Sequence, residues 1–410
     1  MFKFAATLLL VFGLAAPVLA DWSMPEFMIS YWGGPGHTGQ SGKACAQAGF
    51  NTVMSNADAL DECRKHGLKA VVFGGAEVAA KLRDDEAVWG YYLSDEPNND
   101  RIPELTRAAA DLRRADPNHP FYLNLGWPAC PYAFVEKLQP QVLSYDQYWW
   151  WWKGGYFEML EEYRSVAQRA GIPLIVWVEG NAGPEKEVGP GYVYLPDNLQ
   201  RLRLSVYTAL AYGAKGIQWF ASGHIFDGDK LTPSGKDVAV INAELKRLGP
   251  TLMTLDSVEV WHTPGPALSS DITIGKGEPV PTNTRAHTWR HWFHTMTPHV
   301  ILGWLQDSEK NNFVMVVNRR VDKDQTVTLR FDQEAKPVDK VERFDKQTGK
   351  WTELAPLDAK KLDERPEWGG GDTLTTGFFA KFRGRGRFAV ELTVGAGDGE
   401  LLRLPLKRGK

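Results

Sequence analysis

Cysteine is scarce: Cys45, Cys63 and Cys130 are the only three in 410 residues. No dense disulfide framework holds this chain together, and at least one thiol has no partner within it. There is no CxxC pair and no Cys/His set at metal-ligand spacing, which argues against a structural zinc site. An excess of positive charge is also missing. The 47 Lys and Arg against 50 Asp and Glu give a net charge of -3, and the signs are mixed, without the basic stripe of a nucleic-acid-binding protein. Beyond the first twenty residues no apolar run approaches the roughly 18 needed to cross a bilayer. Two catalytic signatures are absent as well: the GxSxG elbow of serine hydrolases and HExxH of zinc proteases. GGPGHTG follows the first strand, but it is not a GxGxxG opening a helix. No internal repeat or low-complexity tract is evident.

What is present begins with a leader. Residues 1–20 combine Lys3, the apolar run AATLLLVFGLAA and the small-residue end Val18-Leu19-Ala20. This is the pattern of a signal peptide cleaved after Ala20. The expected mature chain starts at Asp21 and is secreted or periplasmic, with no membrane association after cleavage. An oxidising compartment permits disulfides, so Cys45 and Cys63 read either as a bridge between the first two helices or as two buried thiols. Aromatics are plentiful, with 16 Trp, 13 Tyr and 19 Phe. Most must fill cores, yet a tryptophan excess in an exported chain also suits the flat apolar faces of sugars.

From residue 27 to about 250, short β-rich runs alternate with helical segments. The strand candidates are FMISYW, FNTVMS, LKAVVFG, VWGYYLS, FYLNLG, VLSYDQYW, PLIVWVE and KGIQWFAS, eight in all. Helix-like stretches between them include SGKACAQAG, ADALDECRKHG, PELTRAAADLRRAD, FEMLEEYRSVAQRAG and NLQRLRLSVYTALAYG, with VAVINAELKRLGPTL closing the series. Glycine just past the helix in RKHG and AQRAG is a usual helix stop before the next strand. Eight such units over about 250 residues predict a (β/α)8 barrel rather than an open doubly wound sheet. After Leu255 the texture turns to alternating strands, HVILGWL, NNFVMVVNR, QTVTLRF, KVERFD, RFAVELTV and ELLRLPL. The expected organisation is a leader over 1–20, a catalytic barrel over 21–254 and an antiparallel β-sandwich over 255–410, with 263–296 as a connector or an irregular strand pair.

Active sites of such barrels lie at the C-terminal ends of the strands. Strand four ends in Ser94-Asp95-Glu96-Pro97, strand five carries Asn124, strand six Tyr145, Asp146 and Tyr148, and strand seven ends in Trp177-Val178-Glu179. Strand eight carries Trp219, with His224 just beyond. Period-two alternation puts Tyr92, Ser94 and Glu96 on one face of strand four and Ile175, Trp177 and Glu179 on one face of strand seven. A carboxylate ending an apolar strand is costly to bury without purpose. Two of them across one barrel mouth suit glycoside hydrolysis, one protonating the leaving oxygen and the other attacking the anomeric carbon. The run Tyr148-Trp149-Trp150-Trp151-Trp152 reads as a loop wall for stacking carbohydrate, and Tyr31 and Trp32 could line the same mouth. Phe226-Asp227-Gly228-Asp229 lacks the spaced ligands of a calcium loop, so neither a metal nor another cofactor is expected.

With WGYYLSDEPN around strand four and WVEG after strand seven, the chain resembles the clan A glycoside hydrolases, and among them barrel enzymes around glycoside hydrolase family 42. The resemblance covers the layout from Phe27 to Leu255 and rests on short motifs. It implies Glu96 as acid/base and Glu179 as nucleophile, Trp219 as the floor of the subsite for the cleaved sugar, and Tyr145 or Tyr148 as a hydrogen-bond donor to the nucleophile. The trailing β-domain, with GDGELLRL, is similar to the accessory domain such enzymes carry. One departure matters: Asp95 stands where these enzymes usually have Asn, which makes Asp95 a rival proton donor.

The expectation is an exported retaining glycosidase with catalytic Glu96 and Glu179. Asp95, Tyr31, Trp32, Asn124, Tyr145, Tyr148, Trp149, Trp177, Trp219 and His224 would contact an oligo- or polysaccharide. The two glutamate carboxyls would then lie about 5–5.5 Å apart. The competing reading is a non-catalytic carbohydrate-binding barrel. A third is a hydrolase or lyase that shares only the fold. Sugar identity, linkage, endo or exo action and oligomeric state are not encoded in any recognisable motif.

Overall fold

The computed structural model describes residues 22–148, 156–180, 186–189, 192–194, 198–220, 222–263, 285–286, 292–295, 297–333, 335–357 and 387–407. The leader and Trp149 to Trp152 of the aromatic run lie outside these residues. Eight parallel strands stand where the eight β-rich runs predicted them: β1 Met28–Tyr31, β2 Thr52–Asn56, β3 Lys69–Phe73, β4 Val88–Asp95, β5 Phe121–Gly126, β6 Leu143–Asp146, β7 Leu174–Glu179 and β8 Gly216–Phe220. Their order around the sheet is β1-β8-β7-β6-β5-β4-β3-β2. The remaining seam, between β1 and β2, is stitched by Asn51 N–H to the Ile29 carbonyl (3.0 Å) and Met54 N–H to the Gly33 carbonyl (3.0 Å). The Asn51 side chain adds two bonds there, accepting from Ile29 N and donating to the Phe27 carbonyl. The sheet is thereby closed into a (β/α)8 barrel.

The outer layer is α1 Gly42–Gln47, α2 Leu60–Lys65, α3 Ala76–Leu82, α4 Ile102–Ala115, α5 Pro131–Leu138, α6 Tyr156–Ala170, α7 Leu199–Ala211 and α8 Pro233–Met253. Local chemistry starts and stops them. Ser41, Asn198 and Thr232 accept from backbone N–H groups as N-caps of α1, α7 and α8, satisfying donors a first turn leaves orphaned. Gly67 and Gly171, ending RKHG and AQRAG, take φ of 68° and 66°, a left-handed turn that favours glycine. The periodicity passes over α3 and α5, which are short helices of about two turns.

Strand alternation splits the barrel into two apolar systems. Met28, Met54, Val71, Trp89, Tyr122, Val142, Ile175 and Trp177 fill the lumen. Ile29, Tyr31, Val53, Tyr91, Leu123, Tyr145, Val176, Val178, Ile217 and Trp219 pack outward on the helices. Because the strands are covered on both faces, they read as nearly continuous apolar runs.

Past α8 the chain becomes antiparallel: β9 Asp256–His262, β10 Val300–Gln306, β11 Asn312–Asn318, β12 Gln325–Asp332, β13 Glu342–Asp345, β14 Lys350–Glu353, β15 Arg387–Val394 and β16 Gly399–Leu404. One sheet runs β9-β10-β11-β16-β13-β14 with Arg285–Ala286 on its β9 edge, and the other pairs β12 with β15 and Phe293–His294. The core between them contains Trp261, Leu302, Val314, Val327, Leu329, Val390 and Leu402, which makes this a β-sandwich. It docks on α7. Gly303 lies so close that a Cβ there would collide with the Ala211 carbonyl oxygen. Arg203 of α7 pairs with Glu244 of α8 at 2.5 Å and with Asp398 at 2.7 Å, and Asp398 also holds Lys346.

The two open readings of the cysteines resolve to free thiols. Cys45 and Cys63 are both buried and unbridged. The Cys45 Sγ lies 3.2 Å from the Tyr31 hydroxyl, and the Cys63 Sγ lies 3.8 Å from the Ser55 Oγ.

Candidate active site

The C-terminal ends of β4, β6 and β7 bring four carboxylates to one mouth: Asp95, Glu96, Asp146 and Glu179. The pairing of β4 with β5 decides how the first two are presented. Tyr92 aligns with Tyr122, but the register then slips, so Ser94 aligns with Leu123 and Asp95 with Asn124. The extra residue is a β-bulge, which reverses the alternation beyond it. Ser94 therefore leaves the lumen face and accepts from Arg101 (3.1 Å). Asp95 takes the lumen position expected of its neighbours. This corrects the alternation expected for strand four, in which Ser94 and Glu96 shared the inner face with Tyr92.

Glu96 reaches the mouth by another route. Its φ is 38°, a left-handed value uncommon for a residue with a side chain, and its N–H is fixed on the Asn124 carbonyl at 2.9 Å. Its carboxylate lies over Gly126, where a Cβ would stand 2.5 Å from Oε1. A side chain at 126 would displace the acid, so glycine is what the close approach requires.

Asn124 is the hub. Its Nδ2 donates to Asp95 Oδ1 at 2.8 Å and to Asp146 Oδ2 at 2.6 Å, while its Oδ1 accepts from the Ser144 hydroxyl at 2.8 Å. Both amide hydrogens thus go to carboxylates. Beneath it the Trp177 indole N–H is shared by the Tyr122 and Ser144 hydroxyls, both at 2.9 Å, and Tyr122 donates to Gln218 Oε1 at 2.6 Å. A connected network of this kind holds its members in single rotamers.

The electrostatics follow from burial and mutual repulsion. Burial pushes the Asp146 carboxyl up to about 7; the Glu96 and Asp95 charges add to the rise, while the Tyr148 hydroxyl and the Asn124 amide oppose it. Asp95 is raised by burial, against the Asn124 hydrogen bond, and Glu96 by burial and by the Asp95 charge. Glu179 is 1 % exposed, and its charge is felt at the Tyr148 phenol. Among the described residues, no Lys or Arg lies within ion-pair distance of Asp95, Glu96 or Asp146.

Beside the acids stands an aromatic wall: Phe220 pairs in register with Glu179, and Tyr148 bonds Asp146. Trp32 contacts the rings of His37, Phe73, Tyr92 and Trp177 at centroid distances of 5.4–6.0 Å, and Phe220 stacks on Tyr148 at 5.3 Å. Trp32, Phe73, Tyr92 and Phe220 are each partly open to solvent.

Of the expected site residues, the structure gathers Asp95, Glu96, Asn124, Trp32, Tyr148, Trp177 and Glu179 around the upper lumen. Three others face away. Tyr31 is fully buried against Phe50, with its hydroxyl on Gln40 and Cys45. Tyr145 bonds the Tyr156 carbonyl and packs on Tyr163 of α6. Trp219 donates its indole N–H to Asn242 of α8 at 2.9 Å. Each occupies the outward parity of its strand, so the expected sugar contacts of these three are replaced by contacts with the helical layer. His224 is half-buried in the four-residue helix Ser222–Ile225, its carbonyl accepting from the Thr232 hydroxyl. Trp149 lies outside the described residues. Asp146 is not among the expected contacts, although it shares the parity of Ser144 and Tyr148; the aromatics Phe73, Tyr92 and Phe220 are further additions. At the opposite end of the barrel a hollow of about 1020 Å³ opens beside Gln141, Arg164, Tyr212 and Lys215. The Lys215 ammonium there donates to the Leu252 and Leu255 carbonyls, tying down the end of α8.

No family model matches the sequence, and no curated protein matches it. Among solved structures, the chain is similar to a family 27 β-L-arabinopyranosidase from Geobacillus stearothermophilus, with a TM-score of 0.46, 10 % identity, and 93 % of this chain and 97 % of that one covered. It is also similar to an α-galactosidase from Saccharomyces cerevisiae solved with raffinose, with a TM-score of 0.47, 8 % identity, and 93 % and 98 % covered.

Proposed function

We propose that the chain is an exported glycoside hydrolase acting on a glycan without negative charge. The observation that carries this reading is the convergence of four carboxylates, Asp95, Glu96, Asp146 and Glu179, on one barrel mouth lined by aromatics. Hydrolysis of a glycosidic bond needs one protonated acid and one ionised carboxylate. A cluster with several carboxyls raised by burial and by one another provides groups of both kinds near neutral pH. In the assignment that the sequence suggests, Glu96 is the acid/base, its carboxyl raised by burial and by Asp95, and buried Glu179 is the nucleophile of a retaining double displacement. The resemblance of WGYYLSDEPN to clan A enzymes supports the same two residues. Asp95, Glu96 and Asp146, without Lys or Arg partners among the described residues, repel uronates and sulfated sugars, which leaves neutral or amino sugars.

One observation favours a second assignment within the same activity. Asp95 and Asp146 share the Nδ2 of Asn124, so their bonded oxygens are separated by at most the two donor distances, 2.8 and 2.6 Å, laid end to end. That bound lies below the spacing of about 6.5–9.5 Å of inverting pairs and on the side of the shorter, retaining spacing. Turnover by Glu96→Gln, Glu179→Gln, Asp95→Asn and Asp146→Asn on a panel of neutral and amino polysaccharides separates the assignments. Each true member of the pair should lose about 10²–10⁴-fold in kcat while still binding glycan. Wild-type protein that binds glycan without cleaving any would return the chain to the carbohydrate-binding class and refute the enzyme.

A further inference from the structure

Trp127 takes no part in the mouth as described, and it is the most exposed large hydrophobic side chain among the described residues, at 67 %. Its position is specific. It follows Gly126, the last residue of β5, where a Cβ would meet the Glu96 carboxylate and the Asp146 carbonyl. The short connection that bears it is anchored at both ends. Ala129 N–H bonds back to the Gly126 carbonyl at 2.9 Å, and Cys130 N–H donates to the Asn99 side chain at 2.8 Å, three residues past Glu96, before α5 begins at Pro131. An indole held open to water on an ordered rim, one residue from the acid cluster, is a flat apolar face aimed at solvent. Single exposed apolar residues are ordinary on surfaces; an exposed tryptophan continuous with a carboxylate-lined mouth is the arrangement that receives the C–H face of a pyranose. The aromatic wall from Trp32 to Phe220 lies on other strands, so Trp127 would hold a different sugar from the one that wall contacts.

We propose that Trp127 is the platform of a separate subsite, binding a sugar next to the one cleaved, so that the substrate is an oligo- or polysaccharide rather than a lone glycoside. This rests on the glycosidase reading. It calls for no added charge and no metal, only stacking of a neutral or amino sugar on the indole.

The test uses the full mature chain and its Trp127→Ala and Trp127→Phe variants. The substrates are the best-cleaved polymer from a panel of laminarin, galactan, xylan and chitosan, its trisaccharide and longer oligosaccharides, and the 4-nitrophenyl glycoside of the same sugar. Trp127→Ala should lose tenfold or more in kcat/KM on the oligosaccharides, mainly through KM. It should stay within twofold of wild type on the nitrophenyl glycoside, and Trp127→Phe should recover most of the loss. Equal effects on both substrates, or no effect on either, would overturn the proposal. If the wild type hydrolyses nothing, the glycosidase reading fails separately, and affinity electrophoresis through gels containing the same four polysaccharides still reads the subsite. Retardation of wild type that Trp127→Ala abolishes supports it, and no retardation of wild type overturns it. A wild-type dimer that Trp127→Ala converts to a monomer with unchanged glycan kinetics would assign the indole to a protein interface and refute the subsite.

Discussion

Replacing Asp146 with Asn probes the acid cluster through stability. Asp146 is buried, and its carboxyl rises from an ordinary 3.8 to about 7. Between those two values the folded protein binds a proton that the unfolded chain has released, so stability falls as pH rises through this window and levels off above about 7. At about 1.4 kcal/mol per pH unit, the wild type forfeits about 2 kcal/mol by pH 5 and about 4 kcal/mol by pH 8.5. Asn has nearly the same shape, can accept from Asn124 through its oxygen and never ionises. Going from pH 5 to pH 8.5 should therefore shift the stability difference in favour of Asp146→Asn by about 3 kcal/mol. Unfolding entropies of about 2.1 cal/mol/K per residue make this roughly 3 °C in Tm for a chain of this length. Scanning calorimetry of both proteins at pH 5 and pH 8.5 provides the measurement. A Tm difference that does not change between the two pH values, or that turns against the variant at pH 8.5, would refute the buried and mutually repelling cluster.

Three further outcomes follow from the packing. Trp219→Phe leaves the buried Asn242 Oδ1 without its 2.9 Å donor and should destabilise by about 1–3 kcal/mol with kcat unchanged; a large fall in kcat would put Trp219 back among the substrate contacts. Gly126→Ala drives a Cβ to 2.5 Å from Glu96 Oε1 and should cost about 10²-fold in kcat, since even small misplacement of a reacting group is expensive; unaltered turnover would show that the Glu96 carboxylate is dispensable. Gly303→Ala drives a Cβ into the Ala211 carbonyl oxygen, a backbone atom that cannot rotate away. It should destabilise by about 1–3 kcal/mol by loosening the sandwich from α7, and identical urea unfolding midpoints would refute that close contact.

The barrel is legible in the amino-acid sequence because its signals are local. Apolar runs of five to eight residues, helix stops such as Gly67 and Gly171, and a count of eight units do not depend on how the chain closes. Acidic residues at strand ends, Glu96 and Glu179 among them, can be located for the same reason. Which way a side chain points is much harder to read. In strands buried on both faces the two parities are equally apolar, so nothing local marks Tyr31, Tyr145 and Trp219 as facing the helices while Trp32, Tyr148 and Trp177 face the lumen. The bulge at Ser94, which turns Asp95 inward, exists only as a mismatch between β4 and β5. Closure of the sheet is what brings Asp95, Glu96, Asp146 and Glu179 within electrostatic reach across more than eighty residues of sequence. The sequence alone settled the element types and the strand ends, because hydrogen-bonding periodicity and turn chemistry act over a few residues. Inward and outward faces, and with them the candidate site, were decided by tertiary structure, because register and repulsion act between strands that only folding makes neighbours.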